Sequence, residues 1–375
     1  MKNPDCLIIG GGVIGASVGY YLAKEKMKVY LLEKNYPTAG STGKAIGGIR
    51  QQFSHHLTIQ IMIESVKIFS SLSEELGIDI EWYPGGYLFL AHSPEMKENY
   101  LKAIAIQKGF NLPVRFLSPQ ECQEIVPFLN PENLLGGAYC PTDGHANPFK
   151  VTYGYLEGLK RKGGKVFLRT EVTEIKREGK NFLVRTRKGE KFSAPIVVNC
   201  AGPWAGEVGK LLNLNIPIYP ERHEGLVTEE TPHLFDPMIV DYRPDGCYFF
   251  QFHSTRHIIG CYTPIPPVYG PDISSTFLFL TEMPRRMQRL IPQLKEVKIL
   301  RQWAGSYEMT PDGNPIVSGT EIEGFYVVAG MCGHGFMLAP GIGKLFSEMI
   351  TRGKSSIPLD EFRLNRDFGK REVMR

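Results

Sequence analysis

Apolar residues along this chain follow more than one period, and the changes of period divide it. Near the N-terminus the run Asp5-Cys6-Leu7-Ile8-Ile9 is continuous rather than alternating. A second run, Lys28-Val29-Tyr30-Leu31-Leu32, ends on Glu33, and residues 16–26 between them have helical character. Short continuous apolar runs flanking a helix predict parallel strands buried on both faces. Residues 57–75 then carry apolar side chains at helical spacing, with Ile61, Met62, Val66, Phe69 and Leu72 on one face as core packing.

Further along, residues 85–91 predict a strand and 94–108 a helix. Ser118-Pro119-Gln120-Glu121 reads as the cap and first turn of another helix. A turn-rich hinge, 141–148, precedes a helix over 149–162 that stops at Gly163-Gly164. Strands follow at 165–168 and 170–175, then a hairpin of 181–187 with 189–192. The apolar run 194–202 ends in small residues and returns the chain to a parallel sheet. From 216 to 303 the pattern alternates, predicting a mostly antiparallel sheet interrupted by one helix over 275–290. The C-terminal part offers a strand over 324–330, a Gly-rich loop over 331–337 and a helix over 340–352.

This order predicts an α/β fold in which a Rossmann-like domain is interwoven with an α+β substrate domain built on the antiparallel sheet. The dinucleotide-binding domain comprises residues 1–80, 145–215 and 304–375, and the substrate domain 81–144 and 216–303.

The glycines between the first two strands carry the first chemistry. Gly10-Gly11-Gly12-Val13-Ile14-Gly15 follows a strand, opens a helix and is answered by Glu33 at the end of the next strand. In such a fingerprint Gly10 permits the tight turn, Gly12 lets a pyrophosphate reach the backbone and Gly15 lets the helix pack on the strand. The positive helix end faces the phosphates, and Glu33 can accept hydrogen bonds from ribose hydroxyls. A signal peptide or membrane helix is the competing reading. Residues 7–23 hold five glycines, follow Asp5 and lack a convincing cleavage site.

Composition narrows the class. The chain has 375 residues, 42% hydrophobic and 22% charged, with a formal net charge of +4. That charge is too small, and too scattered, to point to nucleic acid. Seven cysteines, Cys6, Cys122, Cys140, Cys200, Cys247, Cys261 and Cys332, lie far apart with no C-x-x-C pair. They read as reduced, buried thiols of a cytoplasmic protein. His253 and His257 have the spacing of a helical metal pair but fall in strand and turn context, so no metal is expected.

The loop 35–48 is dense in Gly, Ser and Thr and leads into Ile49-Arg50-Gln51-Gln52-Phe53. Apolar neighbours imply that Arg50 is buried, and a buried Arg needs an anionic partner. A ligand carboxylate and an internal salt bridge both satisfy that need. Tyr248 and Gln251 read either as pocket wall or as ordinary sheet residues, His334 as a base, a structural residue or a cofactor contact, and Glu224, beside His223, as a solvated strand residue.

Taken together, six pieces resemble the D-amino-acid-oxidase superfamily of FAD enzymes, with particular likeness to sarcosine oxidase β-subunits and archaeal-type proline dehydrogenase β-subunits. They are the glycine fingerprint, Gly40-Ser-Thr-Gly43 with Gly48-Ile-Arg-Gln-Gln-Phe53, Pro141-Thr-Asp-Gly144, Val197-Val-Asn-Cys-Ala-Gly202, Trp303-Ala-Gly305 with Thr310-Pro-Asp312, and Gly330-Met-Cys-Gly-His-Gly-Phe-Met337. The resemblance implies FAD rather than NAD. It implies cofactor contacts at Gly10, Gly12, Val13, Ile14, Gly15, Glu33 and Lys34, then at Ser41, Thr42, Gly47, Gly48 and Val172. Ala201, Gly202, Trp204 and Gly305 follow, with Gly330, Gly333, His334, Gly335, Phe336 and Met337 at the flavin ring. Arg50 matches the arginine that holds the substrate carboxylate, and Tyr248, Gln251 and His334 complete the expected catalytic set.

The implied reaction is hydride transfer from a small secondary or N-methyl amino acid, sarcosine- or proline-like, giving an imine that water hydrolyses. The implied partners are an α-type subunit or further copies of the chain. The rival is a FAD-binding relay or structural subunit without turnover. Three departures sharpen the expectation. Gly305 lies near the place of a flavin-linking cysteine, so FAD is expected to bind non-covalently. Met337 replaces a second, lysine carboxylate donor. Ile258 falls where an oxygen-activating lysine is found, which favours an electron acceptor other than O2.

Overall fold

A computed structural model describes residues 2–369. Cys6–Ile9 lies inside a six-stranded sheet, hydrogen-bonded in parallel to Ile196–Asn199 on one side and Val29–Leu32 on the other. The strand order is Ile316–Gly319, Phe325–Ala329, Ile196–Asn199, Cys6–Ile9, Val29–Leu32 and Lys165–Phe167. Only the Ile316–Gly319 edge runs antiparallel to its neighbour. The continuous apolar runs are explained by cover on both faces. Cys6 and Ile8 pack into the core shared with the helices, while Leu7 and Ile9 join Ile175, Phe182 and Phe192 of a three-stranded antiparallel sheet.

The helix Val13–Lys24 packs against Pro148–Arg161 and Gly335–Arg352, and the latter also packs on His56–Leu76. Glycine permits the closest approach: a Cβ at Gly15 would collide with the Gly10 carbonyl. Gly10 itself has φ of 115°, the region that favours glycine.

An eight-stranded sheet forms the second layer system. Its order is Ile299–Met309, Tyr219–Glu230, His257–Tyr262, Tyr248–Gln251, Met238–Asp241, Tyr87–Ala91, Gly136–Cys140 and Arg115–Leu117. Met238–Asp241 with Tyr87–Ala91 is its parallel pair. Alternation decides the two faces. Leu88, Ile239 and Phe249 pack against Phe279, Met283 and Met287 of the helix Phe277–Leu290. Their neighbours Tyr87, Phe89, Val240 and Tyr248 point the other way and wall a cavity.

Most expected elements form near their expected bounds, including the capping box at Ser118 and Glu121. The last helix differs. It starts at Gly335 rather than at residue 340, so Pro340 sits inside it. A proline removes one backbone N–H bond, and here burial of Leu338, Ala339, Ile342 and Leu345 against neighbouring helices offsets that loss. Gly335, Phe336 and Met337 therefore belong to the helix's first turn rather than to a loop. All seven cysteines are free and buried, as expected. Among the described residues no helix is long and apolar enough to cross a membrane, and no group of three or more His, Cys, Asp or Glu residues is placed to hold a metal ion.

Candidate active site

The glycine fingerprint borders a cavity of about 350 Å3, lined by Gly10 to Ile14, Glu33, Lys34, Val172, Ala201, Gly202 and Trp204. The helix Val13–Lys24 has no side-chain cap at Gly12, and Val13 and Ile14 of its first turn border this space. Val13 N–H takes up the Thr42 hydroxyl at 3.0 Å. The Glu33 carboxylate accepts from Gly11 N and from Asn35 N, both at 2.7 Å, and so holds the glycine turn against the end of the second strand. Lys34 lies over the Trp204 ring, 3.5 Å from its centroid, and burial lowers its pKa.

A second cavity, of about 470 Å3, opens from the same place, with Val13, Ile14, Ser41, Thr42 and Glu308 lining both. The two therefore form one elongated bed. An uncapped helix end lies midway along it, and the uncapped end of Gly335–Arg352 lies at the far side. That geometry suits a dinucleotide with an anionic middle and an extended ring at one end. Lys44 to Gly48, Gly305 and Met331 to Met337 line the larger cavity. Gly333 has φ of 86°, and a Cβ there would run into the Tyr307 ring. Gly15 and Gly330 stand behind the bed as packing positions. The Gly330 N–H donates to Glu308 Oε2 at 3.0 Å.

Arg50 is 3% exposed, and it lines the second cavity. Its Nη2 lies 3.2 Å from His334 Nε2, its Nη1 donates to the Gln52 carbonyl, and the guanidinium covers the Phe53 ring at 4.0 Å. Asp143, wholly buried, holds this turn: Oδ1 accepts from Gln51 N at 2.8 Å and Gln51 Nε2 at 3.0 Å, and Oδ2 from Gln52 Nε2 at 3.2 Å. Burial pushes the Asp143 carboxyl up to about 6, against those donors and the nearby Arg50.

Tyr248 lines the chamber, its hydroxyl 3.0 Å from that of Tyr307. Gln251 does not. Its amide is spent on Thr231, Pro232, Arg256 and Leu234, which makes it a buried sheet brace. Ile258 also lies elsewhere, packed on the helix face, while the same strand presents Cys261 to the chamber. Glu224 is no solvated residue: it accepts from Thr276 N, Thr276 Oγ1 and Gln302 Nε2 and so anchors the start of the helix Phe277–Leu290. His253 stacks on Tyr83 at 3.9 Å, and His257 Nδ1 meets the Thr228 carbonyl.

Four chamber residues escaped the reading of motifs: Glu221, His223, Tyr307 and Glu308. For Glu221 and His223 the signal was the period of two along Tyr219–Glu230, which puts them with Tyr219 on one face. Glu308 is buried at the junction of the two cavities, and burial raises its carboxyl to about 7.

Fold and bed together define a dinucleotide-dependent oxidoreductase with a second chamber continuous with the glycine-lined cavity. The chain belongs to the FAD dependent oxidoreductase family, which it matches over residues 5–349. Among relatives it is 28% identical to the glycine oxidase of Geobacillus kaustophilus, across 98% of both chains. It is 31% identical to the human mitochondrial dimethylglycine dehydrogenase, across 98% of this chain and 44% of that protein. The chain thus spans under half the length of the dimethylglycine dehydrogenases it matches, 44 to 45%. Among solved structures, L-proline dehydrogenase from P. horikoshii superposes with a TM-score of 0.92 at 33% identity, covering 97% of this chain and 98% of that one. FAD is the family's cofactor, and when bound it supplies a two-electron acceptor at its ring.

Proposed function

We propose that this protein oxidises a small secondary or N-methyl amino acid, sarcosine- or proline-like, by hydride transfer to non-covalently bound FAD, and that the product imine is hydrolysed by water. The observation that carries the reading is Arg50. It is a buried guanidinium on the wall of the larger cavity, beside the first turn of Gly335–Arg352. A substrate carboxylate gains most from a donor fork where water is excluded. The names of the relatives, glycine oxidase, dimethylglycine dehydrogenase and sarcosine oxidase subunit beta, support an amino acid substrate.

In this reading the segments 1–80, 145–215 and 304–375 hold the cofactor, and 81–144 with 216–303 wall the substrate. Val172 and Glu33 serve the adenosine end, and Gly47, Gly48 and residues 331–337 the ring. The strand His257–Tyr262 brings Cys261, not a cation, to the chamber, which supports an acceptor other than O2. A cytoplasmic location rests on the seven free, buried thiols. An α-type partner subunit is supported by the likeness to a 27% identical Rhodobacter capsulatus protein, sarcosine oxidase subunit beta.

Anaerobic addition of sarcosine, glycine, L-proline, D-proline and N-methyl amino acids tests the proposal. Bleaching of the flavin by at least one of them in the wild type, and its loss with retained yellow colour in Arg50→Ala, is the expected result. If no member of the panel bleaches the flavin, the protein is a relay or structural subunit instead.

A further inference from the structure

Glu308 is the acid at the crossing between the two cavities, and no motif marks it. It keeps 8% of its surface and borders both. Two glycines place its carboxyl. A Cβ on Gly202, in the wall of the smaller cavity, would meet Oε2 at 3.6 Å and nothing nearer. A Cβ on Gly335, in the wall of the larger one, would stand 3.8 Å from Oε1. The carboxyl thus stands where the bed passes from one cavity into the other. The Gly330 N–H donates to Oε2 at 3.0 Å, and among the described residues no cation pairs with the group. A carboxyl so placed has lone pairs left for a ligand.

We propose that Glu308 binds the hydroxyl-bearing chain of FAD, the ribityl segment that joins the diphosphate to the flavin ring. The inference rests on the cofactor orientation proposed above, with adenosine at Glu33 and Val172. The segments of FAD differ in what they offer a carboxyl. The diphosphate brings acceptors and negative charge, so Glu308 disfavours it. Hydroxyls both donate and accept, and a protonated carboxyl matches them by accepting from one and donating to another. With the diphosphate at the glycine turn, the ribityl chain is the next segment, and the next stretch of the bed is the crossing bordered by Val13, Ile14 and Glu308. A buried polar group also penalises a ligand that leaves it unmatched, so Glu308 selects a polyol linker over an apolar one.

The other acids lining the bed are engaged elsewhere or exposed. Glu33 holds Gly11 N and Asn35 N, and Glu171 pairs with Arg187. Glu221 meets His223, Glu224 is occupied by Thr276 and Gln302, and Glu207 is exposed. The protonation of Glu308 fits a polyol as well. The Gly330 and Met331 N–H groups favour its anion, yet burial outweighs them and lifts the carboxyl to about 7. At pH 6 it therefore carries a proton to donate.

Binding to the full-length apoprotein at pH 6 tests this without turnover. The probes are FAD, an FAD analogue whose ribityl chain is replaced by an unhydroxylated pentyl chain, and ADP, which stops short of the crossing. Glu308→Leu should weaken FAD on the order of 10-fold, leave ADP unchanged and leave the analogue no weaker than in the wild type. Glu308→Gln, which keeps a neutral donor and acceptor in place, should stay near the wild type. Equal losses for FAD and the analogue in Glu308→Leu, or no loss for either, overturn the proposal. If Glu308→Leu no longer takes up ADP, its fold is lost and infrared difference spectra of the wild type decide. There the Glu308 carboxyl band, identified by its absence in Glu308→Gln, should shift when FAD binds and not when the analogue binds. A band that ignores FAD, or moves equally with both ligands, overturns the proposal. No amino acid enters these measurements. A flavin that no amino acid bleaches therefore leaves Glu308 as a polyol-binding residue, and a Glu308 indifferent to the polyol leaves the amino acid oxidation standing.

Discussion

Arg50 Nη2 stands 3.2 Å from Nε2 of His334, a contact between residues 284 positions apart. It ties the turn after Gly48–Ile49 to the N-cap of Gly335–Arg352, and both segments line the larger cavity. Two features that stand at opposite ends of the chain are thus one device. Arg50→Ala is expected to keep FAD and to raise the apparent dissociation constant for the reducing amino acid by on the order of 10- to 100-fold, the worth of a charge-assisted hydrogen bond. Anaerobic titration reads that constant, and an unchanged value would place the carboxylate elsewhere.

Asp143 makes a prediction about pH and stability. Its folded-state pKa, pushed up to about 6 by burial, lies above the ordinary value of 3.8. The folded protein therefore binds this proton more tightly, and the stabilisation is lost as pH rises from about 4 to about 6. Asp143→Asn mimics the protonated form. The stability of the wild type relative to this variant should fall by about 3 kcal/mol across that window. Urea unfolding of both proteins at pH 4, 5, 6 and 7 checks this, and a constant difference would contradict it.

Glu308 borders both cavities, and no salt bridge to it occurs among the described residues. Burial raises its carboxyl to about 7, and an anionic diphosphate in the bed opposes its ionisation further. Affinity for FAD should therefore decline as pH rises from 6 to 8, by about tenfold, and Glu308→Gln should flatten the decline. Fluorescence quenching of FAD by apoprotein measures it. Parallel curves for the two proteins would remove Glu308 from the linkage.

Gly305 leaves no nucleophile at its position on Ile299–Met309, and a Cβ there would meet the Lys44 side chain. Acid precipitation of the holoprotein should release the yellow colour into the supernatant. Flavin absorbance that stays with the pellet would reveal a covalent bond.

Some of this was legible in the chain alone. Continuous apolar runs at residues 6–9 and 29–32, with Gly10, Gly12 and Gly15 between them, determined the buried parallel strands and the dinucleotide turn, because strand burial and glycine conformation are local properties. Arg50 announced itself through its apolar neighbours and proved to be buried. What the chain alone left open was decided by pairing between distant strands. Glu221 stands opposite Tyr307, and His223 opposite Gly305, only because Tyr219–Glu230 pairs with Ile299–Met309 in that register. A shift of one residue would have turned both side chains to the other face. The same alternation turned Ile258 away from the chamber and Tyr248 into it. The backbone of Gln251 carries no mark that its amide would be consumed by Thr231 and Arg256. Local pattern determined the glycine turn and the strands around it, and long-range strand register decided which side chains meet in the larger cavity.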